Sequence, residues 1–416
     1  MKRLILFVFF LSLLTELAWA LIPDRRPYEG ESDFGWMLAP TPIKIEGIGS
    51  AVPLNAILSN FHESADAMIF RTLPGGDFQI DLISVFHFPL LSEYLLVSAG
   101  AMTMEIPVTQ FNRGIDSDRD DFIQPFVEQH GNFFQAKFNL WEERFELFYQ
   151  TSAWSSMVTH LYDKDGNRTD YENPEENSNI YKSYAMVWDL TDSKHDPRKG
   201  IRFGQKRNLA PAQSNPDMST FEQRNSDVTF YIPMDTKDTL VFNLFESRAI
   251  LREKGIVDEK SLREISPIQC DDNDATCKAE QDRWVSSTQE RNLYGDAEGL
   301  GGPNRLRAYP MNRFHAGNSR SYGLEYRWNF SEEAKEFNWW LLGGMKTNFQ
   351  LAAFYEQGTV NDNYSELSSN LKSSYGVGFR AFISGLIYRL DIAWGDEGVG
   401  TSMFIDYPME LNPIAN

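Results

Sequence analysis

Beyond its first twenty residues this 416-residue chain has no long apolar run. A membrane-spanning helix needs about 20 apolar residues in a row. The mean hydropathy of −0.41 agrees, so a helical membrane protein is excluded. Bases are scarce: 39 Lys and Arg stand against 59 Asp and Glu, a formal charge of −20. The basic footprint of a nucleic-acid-binding protein is therefore missing. There are only two cysteines, Cys270 and Cys277. Two thiols without a neighbouring histidine are an incomplete zinc set. His160 and His195 sit near no serine or cysteine in a recognisable constellation. No nucleophile elbow, phosphate loop or acid pair is present. Nothing positive points to an enzyme, a metal or a cofactor.

What the chain has instead is alternation. From Tyr322 to Phe330 the even positions are Tyr, Leu, Tyr, Trp and Phe. The odd ones are Gly323, Glu325, Arg327 and Asn329. A strand has a side-chain period of two, so one face is aromatic and the other charged. Leu386, Tyr388, Leu390, Ile392 and Trp394 oppose Arg389 and Asp391 in the same way. Phe349, Leu351 and Tyr355 oppose Asn348, Gln350 and Glu356. Phe134, Ala136, Phe138 and Leu140 oppose Gln135, Lys137 and Asn139. The inner face of a soluble sandwich is usually aliphatic. Apolar faces this rich in Tyr, Trp and Phe fit the aromatic girdles of a transmembrane β-barrel.

The N-terminus agrees. Lys2 and Arg3 precede an apolar run from Leu4 to Leu14, and Ala18-Trp19-Ala20 fits a small-x-small cleavage site. Residues 1–20 read as a secretory signal peptide. Exported, non-helical and alternating together indicate the outer membrane of a Gram-negative bacterium. After a short extension (21–41), one antiparallel barrel of about 16 strands is expected over 42–407, with a tail at 408–416. The first plausible strand is Ile43–Val52. Acids gather in loop-like runs, among them Asp116–Asp121, Asp163–Glu176 and Asp271–Asp274. These read as solvated external loops able to bridge to lipopolysaccharide through divalent ions. Asp163-Lys164-Asp165-Gly166-Asn167 opens like a calcium loop but lacks the closing glutamate. In an oxidising compartment Cys270 and Cys277 are expected to pair in an extracellular loop.

The residues from Leu251 to Arg320 show almost no alternation. A loop that long is usually functional. It carries Leu306-Arg307-Ala308-Tyr309, and five alternating segments follow it (321–330, 347–356, 374–382, 386–394 and 402–407). Alternation puts Glu356, Arg389 and Asp391 on the lumen side. A guanidinium in a partly dry lumen needs carboxylates, and its planar fork suits them.

In this order the segments resemble the BamA/TamA-type outer-membrane assembly factors, which include two-partner secretion transporters and the bacterial surface-antigen family. Leu306-Arg307-Ala308-Tyr309 is similar to that group's Val/Ile-Arg-Gly-Phe/Tyr loop motif. Phe354-Tyr355-Glu356-Gln357-Gly358 is similar to Phe/Gly-x-Asp-x-Gly, whose acid pairs with the loop arginine. Arg389-Leu390-Asp391-Ile392-Ala393 is similar to Arg-x-Asp-x-Ala of the penultimate strand. Asp196-Pro197-Arg198-Lys199-Gly200 is similar to the mid-barrel turn. The resemblance covers about 190–407. It implies a 16-stranded barrel with the loop folded into the lumen, Arg307 latched to Glu356, Asp391 or both, and Tyr309 beside it. Two departures stand out. Ala308 replaces the motif glycine, so a positive φ there would be costly. Residues 21–41 leave no room for the periplasmic POTRA domains that receive clients in that group. The chain also ends in Leu411–Asn416, with Tyr407 as the candidate terminal aromatic.

Three functions fit. The first is assembly or translocation of proteins or lipids at the seam between Ile43–Val52 and Met403–Tyr407. It would involve client outer-membrane proteins or a separate periplasmic partner. The second is a passive pore. The third is a structural or adhesive surface barrel. The membrane lipid and lipopolysaccharide are partners in each case.

Overall fold

The computed structural model describes residues 22–26, 34–163, 166, 168–170, 174, 176–209, 217–266, 268, 270, 275–331, 335–383, 386–406 and 408. The expected signal peptide, Tyr407 and most of the calcium-like segment lie outside these residues. Among the described residues, twenty-one strands form a single sheet. They are β1 (Gly35–Pro40), β2 (Ile43–Ile45), β3 (Gly49–Ala51), β4 (Pro53–His62), β5 (Ala65–Thr72), β6 (Gln79–Leu91) and β7 (Leu95–Pro107). Next come β8 (Gln110–Phe111), β9 (Phe122–Leu140), β10 (Phe145–Asp163), β11 (Arg168–Asp170), β12 (Asn177–Thr191), β13 (Gly200–Leu209), β14 (Thr220–Pro233) and β15 (Asp238–Glu253). Two helices follow, α1 (Glu259–Ile265) and α2 (Ala275–Tyr294). The chain closes with β16 (Asn318–Asn329), β17 (Lys335–Trp339), β18 (Leu342–Asn361), β19 (Lys372–Ile383), β20 (Leu386–Gly395) and β21 (Gly398–Ile405).

Thirteen of these strands close an antiparallel ring. It runs from β1 through β4, β5, β6, β7, β9, β10 and β12 to β16 in chain order, then to β18 and back to β1. Trp36↔Gly343 and Met37↔Leu342 complete it. From β18 the ladder also continues outward through β19, β20 and β21. It returns to the start of the chain where Lys44 of β2 pairs with Met403 of β21.

Burial is inverted relative to a water-soluble protein. On β16, Leu324, Tyr326 and Trp328 are 39–46% exposed, while Glu325 and Arg327 are 0% and 1% exposed. Arg307, Arg313, Arg327, Arg380 and Lys206 are among the largest fully buried side chains. Exposed aromatics include Trp36, Phe134, Phe138, Trp188, Phe230, Phe242, Tyr355, Tyr375, Phe379 and Trp394. Contiguous apolar surface on this scale is not stable in water. It is the lipid-facing band of a barrel, and the molecule is an outer-membrane β-barrel protein. No described helix is long and apolar enough to cross a membrane.

Several expectations need correction. The barrel starts earlier than 42, because β1 begins at Gly35 inside the expected 21–41 extension. Residues 43–52 are not one strand. β2 and β3 form a tight hairpin, and Gly47 turns the chain at φ +84°. The 251–320 segment is not wholly irregular, since it holds α1 and α2. Asp258 caps α1 by accepting from the Ser261 N–H at 3.0 Å. The last strand ends at Ile405. The alternating segments at 134–140, 347–356, 374–382 and 386–394 fall within strands, and 321–330 does so up to Asn329.

Candidate functional site: the loop tip and its carboxylates

Between α2 and β16 the chain folds into a compact tip. Leu300 bridges to Phe314. The Gly302 N–H donates to the Tyr309 carbonyl at 2.8 Å, and the Tyr309 N–H to the Leu306 carbonyl at 3.0 Å. Gly301 is required here. Its φ is +108°, and a Cβ would lie 2.1 Å from the Pro310 oxygen. Leu300, Leu306, Ala308, Tyr309 and Phe314 are buried with Phe354, Val360 and Ala393 of β18 and β20. Gly358 of β18 leaves space for Leu300 and Leu306, whose methyls a Cβ would meet at 2.7 and 3.2 Å. The positive φ expected to trouble Ala308 falls instead on Leu306, at 53°.

This packing presents Arg307 to three strands. Its backbone N–H donates to Glu356 Oε2 and its Nε to Glu356 Oε1, both at 2.9 Å. One terminal nitrogen reaches Asp391 Oδ2 of β20 at 3.3 Å. The other reaches Glu325 Oε2 of β16 at 3.0 Å. The guanidinium lies 3.3 Å from the centre of the Phe354 ring. The Arg307 side chain is fully buried, as are its carboxylate partners. Burial alone would disfavour the charge, but Glu356, Asp391 and Glu325 outweigh it and raise the arginine pKa.

The sequence reading had paired Arg307 with Glu356 and Asp391 and missed Glu325. Glu325 stands on the polar face of 322–330, but only strand pairing shows that it lies beside Phe354. Also missed were Arg380, which donates to Glu325 at 2.6 Å, and Arg327, which does so at 2.7 Å. Arg389 donates to Asp391 at 3.0 Å and to Asn304 of the loop at 3.0 Å. Ser374 donates to Glu356 at 2.9 Å. Four arginines thus surround three carboxylates. Gly378 makes room for one of them, since a Cβ there would meet Asp391 Oδ1 at 2.2 Å.

The tip also touches both edges where the chain's first and last strands meet. Tyr309 donates its hydroxyl to the Ser373 carbonyl at 3.0 Å and accepts from the Asp396 N–H at 3.2 Å. A Cβ at Gly395 would sit 3.0 Å from Ala308 and Tyr309, and one at Gly400 would sit 2.7 Å from the Arg307 carbonyl. On the other edge, the Met311 N–H donates to the Glu46 carbonyl at 2.9 Å. Arg313 pairs with Glu397 at 2.8 Å, and Arg305 with Glu298 at 2.9 Å. At the root of the loop Arg113 bridges Asp296 and Asp362, each at 2.6 Å. Burial opposes ionisation of Asp296, but the His315 hydrogen bond and the Arg113 charge overcome it and hold the carboxyl at about 2.

These features, the ring and the inverted burial can be set against known structures. CdiB from Escherichia coli superposes with a TM-score of 0.50 at 8% identity, covering 91% of this chain and 63% of that one. The chain has the fold of a BamA/TamA-type outer-membrane barrel. BamA from Haemophilus ducreyi lacking POTRA domains 1–3 is similar at a TM-score of 0.47 and 10% identity, covering 89% of this chain and 68% of that one. CdiB from Acinetobacter baumannii gives 0.44 and 11%, covering 90% and 59%. The chain thus spans about two thirds or less of these proteins. No protein-family profile and no curated sequence matches it. Cys270 and Cys277 form a disulfide just before and inside α2.

Proposed function

We propose that this protein is a 16-stranded member of the BamA/TamA-type group that inserts or translocates polypeptides or lipids through its strand seam. Its long loop lies in the lumen as a latch. Counting β1 with β2 and β3 with β4, and setting aside the short β8, β11 and β17, leaves sixteen wall strands. The tip then projects among the inward, polar side chains, and Arg307 is the latch. Tyr309, Glu356, Asp391 and Arg389 complete it, with Leu306, Ala308, Phe354 and Gly358 shaping the tip.

One observation carries this proposal. The tip that holds Arg307 also spans the seam, contacting Glu46 on one side and Gly395 and Gly400 on the other. The seam itself is thin, with Lys44↔Met403 as the single β2–β21 register pair among the described residues. A wall closed by so little backbone pairing depends on the loop. The partners we propose are membrane lipid, lipopolysaccharide at the acidic external loops, and client outer-membrane proteins or a separate periplasmic protein.

The test is a seam lock. Cα partners in an antiparallel ladder lie about 4.5–5.5 Å apart, within disulfide range. Lys44→Cys with Met403→Cys should therefore crosslink in the periplasm. Opening at the seam requires that the locked protein fail to restore outer-membrane protein or lipid levels in a deletion strain, and that reductant recover them. Full activity of the locked protein would refute seam opening. An open, reductant-independent conductance in planar bilayers would favour a passive pore.

A further inference from the structure

Residues 22–26 rest on the turn between β12 and β13, against the neighbouring turn between β9 and β10. Two consecutive arginines fill two distinct sockets there. Arg25 donates to the carbonyls of Thr191 at 3.3 Å, Glu143 at 3.2 Å and Asp189 at 3.4 Å, and to the Thr191 hydroxyl at 3.4 Å. It also pairs with the Asp189 carboxylate at 3.3 Å. Arg26 donates to the Asp196 carbonyl at 2.6 Å and to its carboxylate at 3.4 Å. Its Nε lies 3.5 Å from the Asp192 carboxylate.

The backbone is held as well. The Arg26 N–H donates to the Asp192 carbonyl at 2.5 Å. Arg144, which is buried, donates to the Pro23 carbonyl at 2.7 Å. The receiving residues are themselves fixed. Asp189 (2% exposed) accepts from Arg202 at 2.9 Å, and Asp196 (3% exposed) from Arg198 at 3.0 Å. Asp192 Oδ1 accepts the N–H groups of Arg198 and Lys199 at 2.8 and 2.9 Å. The sockets are thus built by the turn and are not shaped only by the peptide they hold.

We infer that the β12–β13 turn is a binding site for an extended peptide carrying an Arg-Arg pair, and that the chain's own Arg25–Arg26 occupies it. The preference for arginine follows from the acceptors. The Arg25 socket offers several carbonyl oxygens spread around the group. A planar guanidinium satisfies them together, whereas an ammonium is a compact point donor. The site lies at the end of the barrel with short turns, which by the usual asymmetry of these barrels faces the periplasm. The inference is independent of seam opening.

Two measurements on detergent-extracted protein test it. Trypsin can cut the Arg25–Arg26 bond, whereas Pro27 shields the bond after Arg26. In the intact protein the Arg25–Arg26 bond should resist trypsin at least tenfold longer than in Asp192→Asn/Asp196→Asn. Equal cleavage rates would overturn the inference. In the second measurement a labelled peptide of residues 21–33 is titrated into intact protein and into a variant lacking 21–33. Saturable binding is expected only to the shortened protein, weakened about tenfold or more when both arginines are lysine. Equal binding to both proteins, or to neither, or no loss with lysine, would refute a specific Arg-Arg site. Heat-modifiable mobility of the shortened variant verifies that its barrel is folded.

Discussion

Replacing Arg307 by alanine removes a fully buried cation from three buried carboxylates, and the consequences differ among them. Glu325 keeps Arg380 at 2.6 Å and Arg327 at 2.7 Å. Asp391 keeps Arg389 at 3.0 Å. Glu356 keeps the Ser374 hydroxyl and the backbone N–H of residue 307, each at 2.9 Å, but loses its charged partner. Breaking a buried pair by deleting one partner costs about 3–5 kcal/mol, mostly because the other charge is stranded. For Arg307→Ala that cost should fall on Glu356. Adding Glu356→Gln removes the stranded charge, so the double variant should be more stable than the sum of the single losses by at least about 1 kcal/mol. Glu325→Gln in the same background should give no such relief, because it strips a carboxylate from two arginines that still need it.

The assay is urea unfolding in bilayers, followed by tryptophan fluorescence and the heat-modifiable gel shift. Protease sensitivity of the tip reports whether the loop has left its seat. Arg307→Lys should lose most of the stabilisation too, because one ammonium cannot reproduce a fork that meets three strands. Equal rescue by Glu356→Gln and Glu325→Gln would refute this assignment of the cost. Additive effects below about 0.5 kcal/mol would show that Arg307 is not a latch.

Gly400→Val should expel the tip without altering any charge, since a Cβ meets the Arg307 carbonyl at 2.7 Å; faster proteolysis within 300–314 would register it. Gly378→Ala should push Asp391 from its place beside Arg307 and Arg389, with faster proteolysis within 300–314 as the readout. Opening the Cys270–Cys277 loop by Cys→Ser changes should cost at most about 3 kcal/mol, since the closed loop is short, and should show as faster trypsin cleavage in α2 with the barrel intact. Asp296 is held at about 2 by His315 and Arg113. A depressed carboxyl contributes stability that is present above about pH 4 and lost as pH falls through about 2. The root of the loop should loosen over that interval, with the Asp296→Asn variant lacking this part of the response.

The wall was legible in the sequence because lipid on one side and polar groups on the other impose a period of two on every strand. Arg327 beside Trp328 announces that arrangement without any structure. The Arg307 cluster was partly legible because Arg307 and Glu356 belong to recognisable segments. Glu325 and Arg380 were not, since their roles depend on which strands lie side by side and in what register. The hairpin at β2–β3 was misread for a local reason. Alternation over ten residues cannot distinguish one strand from two when a glycine turn replaces one pair of positions. α2 was missed because ATCKAEQDRWVSSTQERNLY has no continuous apolar stripe. Its residues favour a helix, but the usual periodic signal is absent.

The seam and the Arg307 cluster belong to one energetic problem. β1 and β2 meet the far side of the wall at two places, Trp36 and Met37 on β18 and Lys44 on β21. The first contact involves the β17–β18 hairpin, which extends beyond the ends of β19 and β20 to reach β1. The second is a single pair reinforced by the loop through Glu46 and the glycines at 395 and 400. Release of the loop would therefore weaken the Lys44 end while leaving the Trp36 end clasped. Opening should begin at Lys44–Met403 and stop before Trp36. In the Arg307→Ala background, a Lys44→Cys/Met403→Cys pair should crosslink more slowly than in the parent. A Met37→Cys/Leu342→Cys pair should crosslink at the same rate in both. Equal slowing at the two ends would mean that the barrel loosens as a whole, and the loop would then be a general brace for the wall and not a seam latch.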